Sequence, residues 1–437
     1  MRKTKLKYLL TAATLLCYVF TVFASQNNKA EFKVKTQFGV NLSCGEFGGG
    51  SGGTLNLSYT YPSTAELDYF KSKGLTLIRM PFAWDRVQHE LNGPLDTQSD
   101  LQAIKDFVKS AQDRGINVML DMHNYARRKV NGTDYLIGQT SNVTIAHFVD
   151  FWTKMAFEFK DYTNIWGYDL MNEPHDMGTV SWFDIVQATV TGIRTVDLNT
   201  PIVIEGDSWA SAYNWPAASD NLKNIVDPSN KLIYEGHCYF DNNASGIYSG
   251  TYDKEIKTAS IALIRLKPFV DWLKLNNKIG MIGECGVPGD DPRLKTMLDV
   301  ALAYLRDNNV SFTYWAAGPW WGTYPLSIEP NGTVDKPQMA ILEKYGNDKL
   351  AAVEKVNSSI QIRISPNPAT DIIKITADSK IKNITIYNAQ GILVLQKEIN
   401  MFDNQCEIKL SQFVPGTYLV NVRLEDNSIA IKKVVKI

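Results

Sequence analysis

The chain has 437 residues, 44% hydrophobic and 11% aromatic, which supplies apolar material for one large core or two ordinary ones and excludes disorder of the whole chain. Its 45 Lys and Arg against 46 Asp and Glu leave no basic excess to neutralise phosphates, so a dedicated nucleic-acid binder is excluded. The balance is uneven: residues 1–24 carry four basic groups and no acid, residues 355–437 carry 11 basic against 7 acidic, and the stretch between carries 30 against 39.

Arg2, Lys3, Lys5 and Lys7 precede an apolar run from Tyr8 to Ala24, and Val22 and Ala24 are small enough to precede a signal-peptidase cut. Residues 1–24 are therefore expected to be a secretory signal, with an uncleaved anchor as the alternative. Leu15 and Leu16, ahead of Cys17 in mid-run, argue against a lipoprotein. The other cysteines, Cys44, Cys238, Cys285 and Cys406, show no CxxC spacing. They make neither a disulfide framework nor a tetrahedral metal site, so buried thiols are expected, and neither metal nor cofactor is implied.

From residue 35 onward a short apolar run, a polar loop and an amphipathic pattern alternate. The runs cover 35–43, 75–81, 116–123, 165–173, 201–208, 231–240, 278–285 and 310–317, eight in all. Ser63, followed three residues later by Glu66, sets a capping box before a helix that closes at Gly74. Leu101, Ile104, Val108 and Ala111 share one face of the next, which stops at Gly115. Phe148, Phe151, Trp152, Met155 and Phe159 belong to the third. The runs are continuously apolar rather than alternating, the pattern of parallel strands buried on both faces. Eight such units predict an α/β fold, a (β/α)8 TIM barrel over residues 35–345, with a doubly wound open sheet as its rival.

Gly49-Gly-Ser51-Gly-Gly53 formally matches a serine nucleophile elbow, but a polar loop lies on each side and no Lys-Ser or Lys-Thr follows the glycines. It reads as a flexible loop. Residues 346–361 turn polar and are the expected linker. Beyond them seven short β-rich runs, 361–366, 371–377, 383–388, 391–396, 405–410, 416–424 and 429–436, alternate in hydropathy, as at Ile384 and Ile386. They predict a small all-β sandwich over 362–437.

In a parallel barrel reactive groups gather at the C-terminal ends of the strands. Glu173 closes the fourth run in Asn172-Glu173-Pro174, and Glu284 closes the seventh. Two carboxylates converging on one cleft are what glycoside hydrolysis requires, one to protonate the leaving oxygen and one to attack or to activate water. The second run ends near Arg79, the third at His123 and Asn124, the sixth at His237 with Tyr239, and the eighth at Trp315. Polar and aromatic groups at the ends of apolar strands make a shared site with the two glutamates.

These residues carry a resemblance. Arg79, His123, Asn172-Glu173-Pro174, His237-Cys238-Tyr239, Glu284 and Trp315, together with Asp121-Met-His-Asn-Tyr-Ala-Arg127, Met171-Asn-Glu-Pro-His-Asp176 and Gly206-Asp-Ser-Trp209, resemble the endo-β-1,4-glucanase branch of glycoside hydrolase family 5. The resemblance spans residues 35–345 and implies a retaining double displacement. Glu173 would be the acid/base, which must hold its proton, and Glu284 the nucleophile, which must stay ionised. Arg79 and Tyr239 would stabilise the Glu284 anion. Asn172 would bind the sugar 2-hydroxyl, His123 the same sugar, and His237 would position Glu173. Trp315 would be the stacking floor, followed by a cis peptide to Ala316. Cys238, between two site residues, should point away from the cleft by alternation.

All ten tryptophans lie between Trp84 and Trp321. Sugar C–H faces stack on indoles, so Trp84, Trp209, Trp320 and Trp321 are candidate platforms for flanking glucose units, with Asn124 beside them, and core packing is the alternative for each. The expected substrate is cellulose or a related β-glucan. Xyloglucan, mixed-linkage glucan and β-mannan are alternatives, because substrate choice lives in loops such as 45–62 and 127–142. A non-catalytic binding protein on a degenerate barrel would not need both glutamates. A monomer is expected.

The C-terminal segment resembles another family. Ser365-Pro-Asn-Pro-Ala-Thr370, Ile386-Tyr-Asn-Ala-Gln-Gly391, Pro415-Gly-Thr-Tyr418 and Lys432-Lys-Val-Val-Lys436 look like the sorting domain of the type IX secretion system. That implies the type IX machinery as partner and an extracellular or cell-surface destination. A carbohydrate-binding module is the alternative, disfavoured by the absence of tryptophan.

Overall fold

The computed structural model describes residues 32–48, 53–346, 362–388, 393–399, 403–425 and 429–437. The expected leader 1–24, residues 49–52 of the glycine loop and residues 347–361 of the expected linker lie outside these. The chain divides into two compact units, Met1–Asn347 and Asp348–Ile437.

The first unit is a closed parallel barrel. Its strands are β1 (Phe38–Leu42), β2 (Leu77–Phe82), β3 (Asn117–Met122), β4 (Ile165–Asp169), β5 (Ile202–Glu205), β6 (Leu232–His237), β7 (Ile279–Glu284) and β8 (Ser311–Ala317). They pair in ring order β1-β8-β7-β6-β5-β4-β3-β2. The open doubly wound sheet is thereby excluded. At the closure Gly39 stands opposite both Thr313 of β8 and Leu77 of β2. A Cβ there would fall 1.8 Å from the Leu77 carbonyl oxygen, so glycine permits the close approach. Phe32 and Val34 pack against Leu77, Met119, Trp166, Val203, Ile233 and Met281, an apolar cluster near the strand starts.

The longer helices are α1 (Thr64–Ser72), α2 (Asp100–Asp113), α3 (Ile145–Phe159), α4 (Trp182–Ile193), α5 (Ile261–Leu275) and α6 (Pro292–Asp307). In α1 the Glu66 carboxylate accepts from the Ser63 N–H at 2.7 Å, the expected capping contact. The α2 face buries Leu101, Ile104, Phe107, Val108 and Ala111, and α3 buries Phe148, Phe151, Trp152, Met155 and Phe159. Between β5 and β6 a single turn, Trp215–Ala218, and a 3-10 segment stand where a full helix was expected. The expected 127–142 loop contains a hairpin, Arg127–Val130 against Thr133–Leu136.

Two strand ends differ from the reading of the sequence. β2 runs on to Phe82, so Arg79 lies inside the strand rather than at its end. β4 stops at Asp169, so Glu173 belongs to the following loop. Hydropathy alone did not mark these ends, because Leu170 and Met171 are as buried outside the strand as its own residues are.

The second unit holds two antiparallel sheets. β9 (Ile362–Ser365), β10 (Ile372–Ala377) and β13 (Gln405–Lys409) form one, and β12 (Leu393–Glu398), β11 (Ile381–Asn388), β14 (Gly416–Leu424) and β15 (Ile429–Lys436) the other. Ile373 and Ile375 from the first share a core with Ile384, Ile386, Val420 and Val422 from the second. This is a sandwich in which burial alternates along β10 and β14, as predicted, while β12 stays largely exposed on both faces.

Candidate active site

The barrel interior carries polar side chains on successive strands. Asn41, Arg79, Asp121, Asp169, Glu205, Glu235 and Thr313 are all fully buried. Arg79 is their hub. Its guanidinium lies 3.0 Å from Asp121 Oδ2, 3.0 Å from Asp169 Oδ2, 2.7 Å from Glu205 Oε1, 3.0 Å from Glu235 Oε1 and 3.1 Å from Glu284 Oε1. It also donates to Asn41 Oδ1 at 3.0 Å and Asn172 Oδ1 at 2.9 Å. One guanidinium cannot balance five carboxyls by itself, and His123 and His237 stand beside them as further cationic partners. Burial, with Glu235 and Glu205 nearby, pushes Asp169 well above the usual carboxylate range, and burial raises Glu205 to about 8. For Asp121, burial is outweighed by Arg79 and His123, and its value is lowered.

Glu284 ends β7, with Arg79 on Oε1 and the Tyr239 hydroxyl donating to Oε2 at 2.8 Å. Glu173 sits at φ 46, in the left-handed region. Its Oε1 is 2.8 Å from His237 Nδ1, and its N–H donates to Glu205 Oε2 at 2.7 Å. One oxygen of Glu173, one of Glu284 and a ring nitrogen of His237 lie within 4.8 Å of one another. Asn172 is fully buried, and its Nδ2 has no partner among the described residues. His123 Nδ1 is 2.8 Å from Asp121 Oδ2, and its Nε2 is 3.2 Å from the Tyr125 hydroxyl. Burial lowers the His123 value, but the charge of Asp121, its hydrogen bond, Glu46 and Glu284 raise it overall to about 9.

Trp315 stacks on the His123 ring at 5.4 Å and 12°, and its peptide bond to Ala316 is cis. On this side a cavity of about 570 Å³ is bounded by Glu46, Phe47, His123, Asn124, Trp315 and Trp321. On the other side a cavity of about 590 Å³ is bounded by Glu173, Trp209, Tyr213, His237, Tyr239 and Asn243. Glu173 thus lines the second cavity, whose wall also carries Tyr239 and His237, the partners of Glu284 and of Glu173 itself.

Of the four indole platforms read from sequence, Trp209 and Trp321 line these cavities. Trp209, 47% exposed, stacks on His175 at 4.5 Å and 7°, within a run Ser208-Trp209-Ala210 at positive φ. Trp321 packs edge-on to Trp315 and stacks on Tyr324 at 4.5 Å. Trp84 is not a platform. It is fully buried against Phe148 and Phe151, and its Nε1 donates to Gln88 at 3.0 Å. Trp320 is exposed and belongs to neither cavity wall. Asn124 Oδ1 accepts from the Trp84 N–H at 2.8 Å, which fixes the side chain at the edge of the Trp315 cavity. Cys238, expected to point away, is buried yet contributes to the wall on the Trp209 side, and burial pushes its thiol up to about 12. Cys44, Cys238, Cys285 and Cys406 are free thiols.

Apart from Asp121, which opens a motif of the resemblance, the interior acids were not picked out from the sequence, although each stood in a run read as a strand. The signal was an ionisable group inside an apolar run, in LDM, GYD, VIEG and YEGH, with one Arg in another. Glu173, His237 and Glu284 are near enough to share a metal ion, as are Asp121, Asp169 and Glu205. In the second group the Arg79 guanidinium already occupies the place a cation would take.

Residues 28–320 match the cellulase family, glycosyl hydrolase family 5. The chain belongs to that family. Residues 363–436 match the secretion system C-terminal sorting domain. The barrel is similar to endo-β-1,4-glucanase B of Aspergillus niger, 33% identical over 73% of this chain and 92% of the relative. Among solved structures it is similar to the Pseudomonas stutzeri endoglucanase, 39% identical with a TM-score of 0.67, covering 73% of this chain and 98% of the other. A Xanthomonas axonopodis endo-β-1,4-glucanase is 33% identical with a TM-score of 0.66, covering 72% and 100%. The family 5 chain thus joins a glycoside hydrolase barrel to a sorting domain.

Proposed function

We propose that the barrel is a retaining endo-β-1,4-glucanase acting on cellulose and related β-glucans, with Glu173 as acid/base and Glu284 as nucleophile. The observation that carries this is the approach of the two carboxyl groups, with oxygens within 4.8 Å. Retaining enzymes hold their carboxyls roughly 5–5.5 Å apart, whereas inverting enzymes need about 6.5–9.5 Å to seat a water. Glu284 attacks the anomeric carbon as Glu173 gives its proton to the leaving glycosidic oxygen. Glu173 then takes a proton from the water that releases the glycosyl-enzyme.

Each supporting group has a matching task. Arg79 and Tyr239 donate to the two Glu284 oxygens and keep the nucleophile charged and oriented. The unpartnered Asn172 Nδ2 faces the 2-hydroxyl of the sugar under attack. His123 and Trp315 hold that sugar, and His237 steers Glu173. The cavity at Glu173, with Trp209, takes the leaving side of a chain cut internally, and the cavity at Trp315, with Trp321, takes the other. Catalysis and glycan binding are assigned to residues 35–345, and 362–437 to transport by the type IX machinery after export directed by 1–24. The enzyme then acts outside the cell or on its surface.

Hydrolysis of carboxymethylcellulose and β-mannan by the full chain, beside Glu173→Gln and Glu284→Gln, tests the reading. Cellulose cleavage lost in both variants, with the β-anomer appearing first by NMR from wild type, is the expected result. Unchanged rates in either variant overturn the site, an α-anomer first overturns retention, and a strong preference for mannan overturns the substrate.

A further inference from the structure

Glu205 lies outside both cavities, yet it touches the machinery at three points, Glu173, Arg79 and His237, whose Nε2 is 3.5 Å from Oε1. It ends β5, is fully buried, and has its own carbonyl fixed by the Trp182 indole N–H at 2.9 Å. Oε2 accepts from the Glu173 backbone N–H at 2.7 Å, and Oε1 accepts from Arg79 Nη2 at 2.7 Å. The same Nη2 donates to Asn172 Oδ1 at 2.9 Å. One carboxyl group therefore fixes two consecutive loop residues, Glu173 through its backbone and Asn172 through Arg79.

This anchoring is needed because the backbone of Glu173 is in an unfavourable conformation. A glutamate at φ 46 is uncommon, and Pro174 behind it disfavours any helical geometry. Such a conformation persists only where neighbours enforce it. Without Glu205 the Glu173 N–H is left buried without its acceptor, and the peptide relaxes toward extended geometry. That relaxation swings the carboxyl away from the leaving oxygen while Glu284 remains held by Arg79 and Tyr239.

We infer that Glu205 is a positioning residue for acid catalysis, setting the reach of the Glu173 carboxyl from beneath the loop without contacting substrate. The inference rests on the reading of Glu173 as the acid/base. It makes a demand that a general structural role does not: the loss on substitution depends on how much the leaving group needs a proton. Glu205→Gln is nearly isosteric, but its NH2 cannot accept a hydrogen bond, whereas both oxygens of a carboxyl group can in either protonation state, so the amide cannot serve both Glu173 N–H and Arg79. Glu205→Asp keeps both oxygens and withdraws them from the Glu173 N–H by one methylene.

The test compares kcat/KM of the full-length wild type and these variants on cellotetraose and on 2,4-dinitrophenyl β-cellobioside. The first has a leaving sugar that requires a proton, and the second has a phenolate that leaves without one. Acid/base assistance contributes on the order of 10²–10⁴-fold. Glu205→Gln and Glu205→Asp are expected to lose about 10-fold more on cellotetraose than on the aryl glycoside, which feels only the part of the loss carried by Asn172 and Arg79. An equal loss on both substrates, or no loss on cellotetraose, overturns the inference. If Glu205→Gln does not fold, Glu205→Asp carries the test with the same outcomes. Glu173→Ala is the reference: if it shows no such asymmetry, the acid/base reading itself fails, and Glu205 falls with it.

Discussion

Tyr239 gives its hydroxyl to Glu284 Oε2 at 2.8 Å from the loop just past β6. Burial and the neighbouring Glu284 charge push the phenol well above its ordinary range, so it stays a donor throughout the working pH of the enzyme. A hydrogen bond to a charged group contributes about 1.5–3 kcal/mol. Tyr239→Phe keeps the ring and removes that bond, and kcat/KM on cellopentaose is expected to fall by about 10- to 100-fold with a melting temperature lower by a few degrees. A loss below about twofold would show that Arg79 alone holds the nucleophile. Tyr239 could be read from the sequence because it follows His237 by two residues at a strand end, where alternation turns both polar groups to the same side. Glu205 could not, because nothing in one sequence tells which face of a doubly buried strand an acid occupies.

Within the barrel wall, β1 approaches β2 too closely at one position to admit a side chain. Gly39 brings it so close to β2 that a Cβ would sit 1.8 Å from the Leu77 carbonyl oxygen, an atom of the backbone that cannot turn aside. Gly39→Ala must push the two strands apart at the point where the ring closes. Overpacking of a dense core costs typically about 1–3 kcal/mol and occasionally more, and a melting temperature lower by about 5 °C or more is expected by calorimetry. An unchanged melting temperature would mean that the barrel absorbs the shift elsewhere. The eight strands were legible because each is a continuous apolar run, and α1, α2 and α3 because caps and a 3.6-residue period coincide. Hydropathy did not mark where a strand stops: Leu170 and Met171 are buried beyond β4, so Glu173 read as a strand end. Nor did it separate a platform from a core group, since Trp84 differs from Trp209 only in what packs over it.

For the molecule as a whole, the interior polar network ties stability to pH. His123 has an ordinary value of 6.5 and a folded value of about 9, held up against burial by Asp121, Glu46 and Glu284. A group raised in this way stabilises the fold fully below about 6.5, and the contribution is lost as pH rises through about 9. Glu205 acts with the same sign. Above about 4.5 the unfolded chain gives up this proton while the buried group keeps it to about 8, so stability falls across that window. Asp169 and His237, both raised well above their ordinary values, add to the trend. Asp121 and the partly buried Asp227 are lowered and lose their contribution only as pH falls below the usual carboxylate range. The folded barrel therefore binds more protons than the unfolded chain between about pH 4.5 and 9, at a cost on the order of 1 kcal/mol per pH unit for each group titrating. The expected melting temperature of the barrel transition is highest near pH 5 and several degrees lower at pH 8.5, and calorimetry of the full chain at constant ionic strength measures it. A barrel transition that rises between pH 5.5 and 8.5 would mean that Arg79 neutralises its carboxyls more completely than the burial of Asp169 and Glu205 allows.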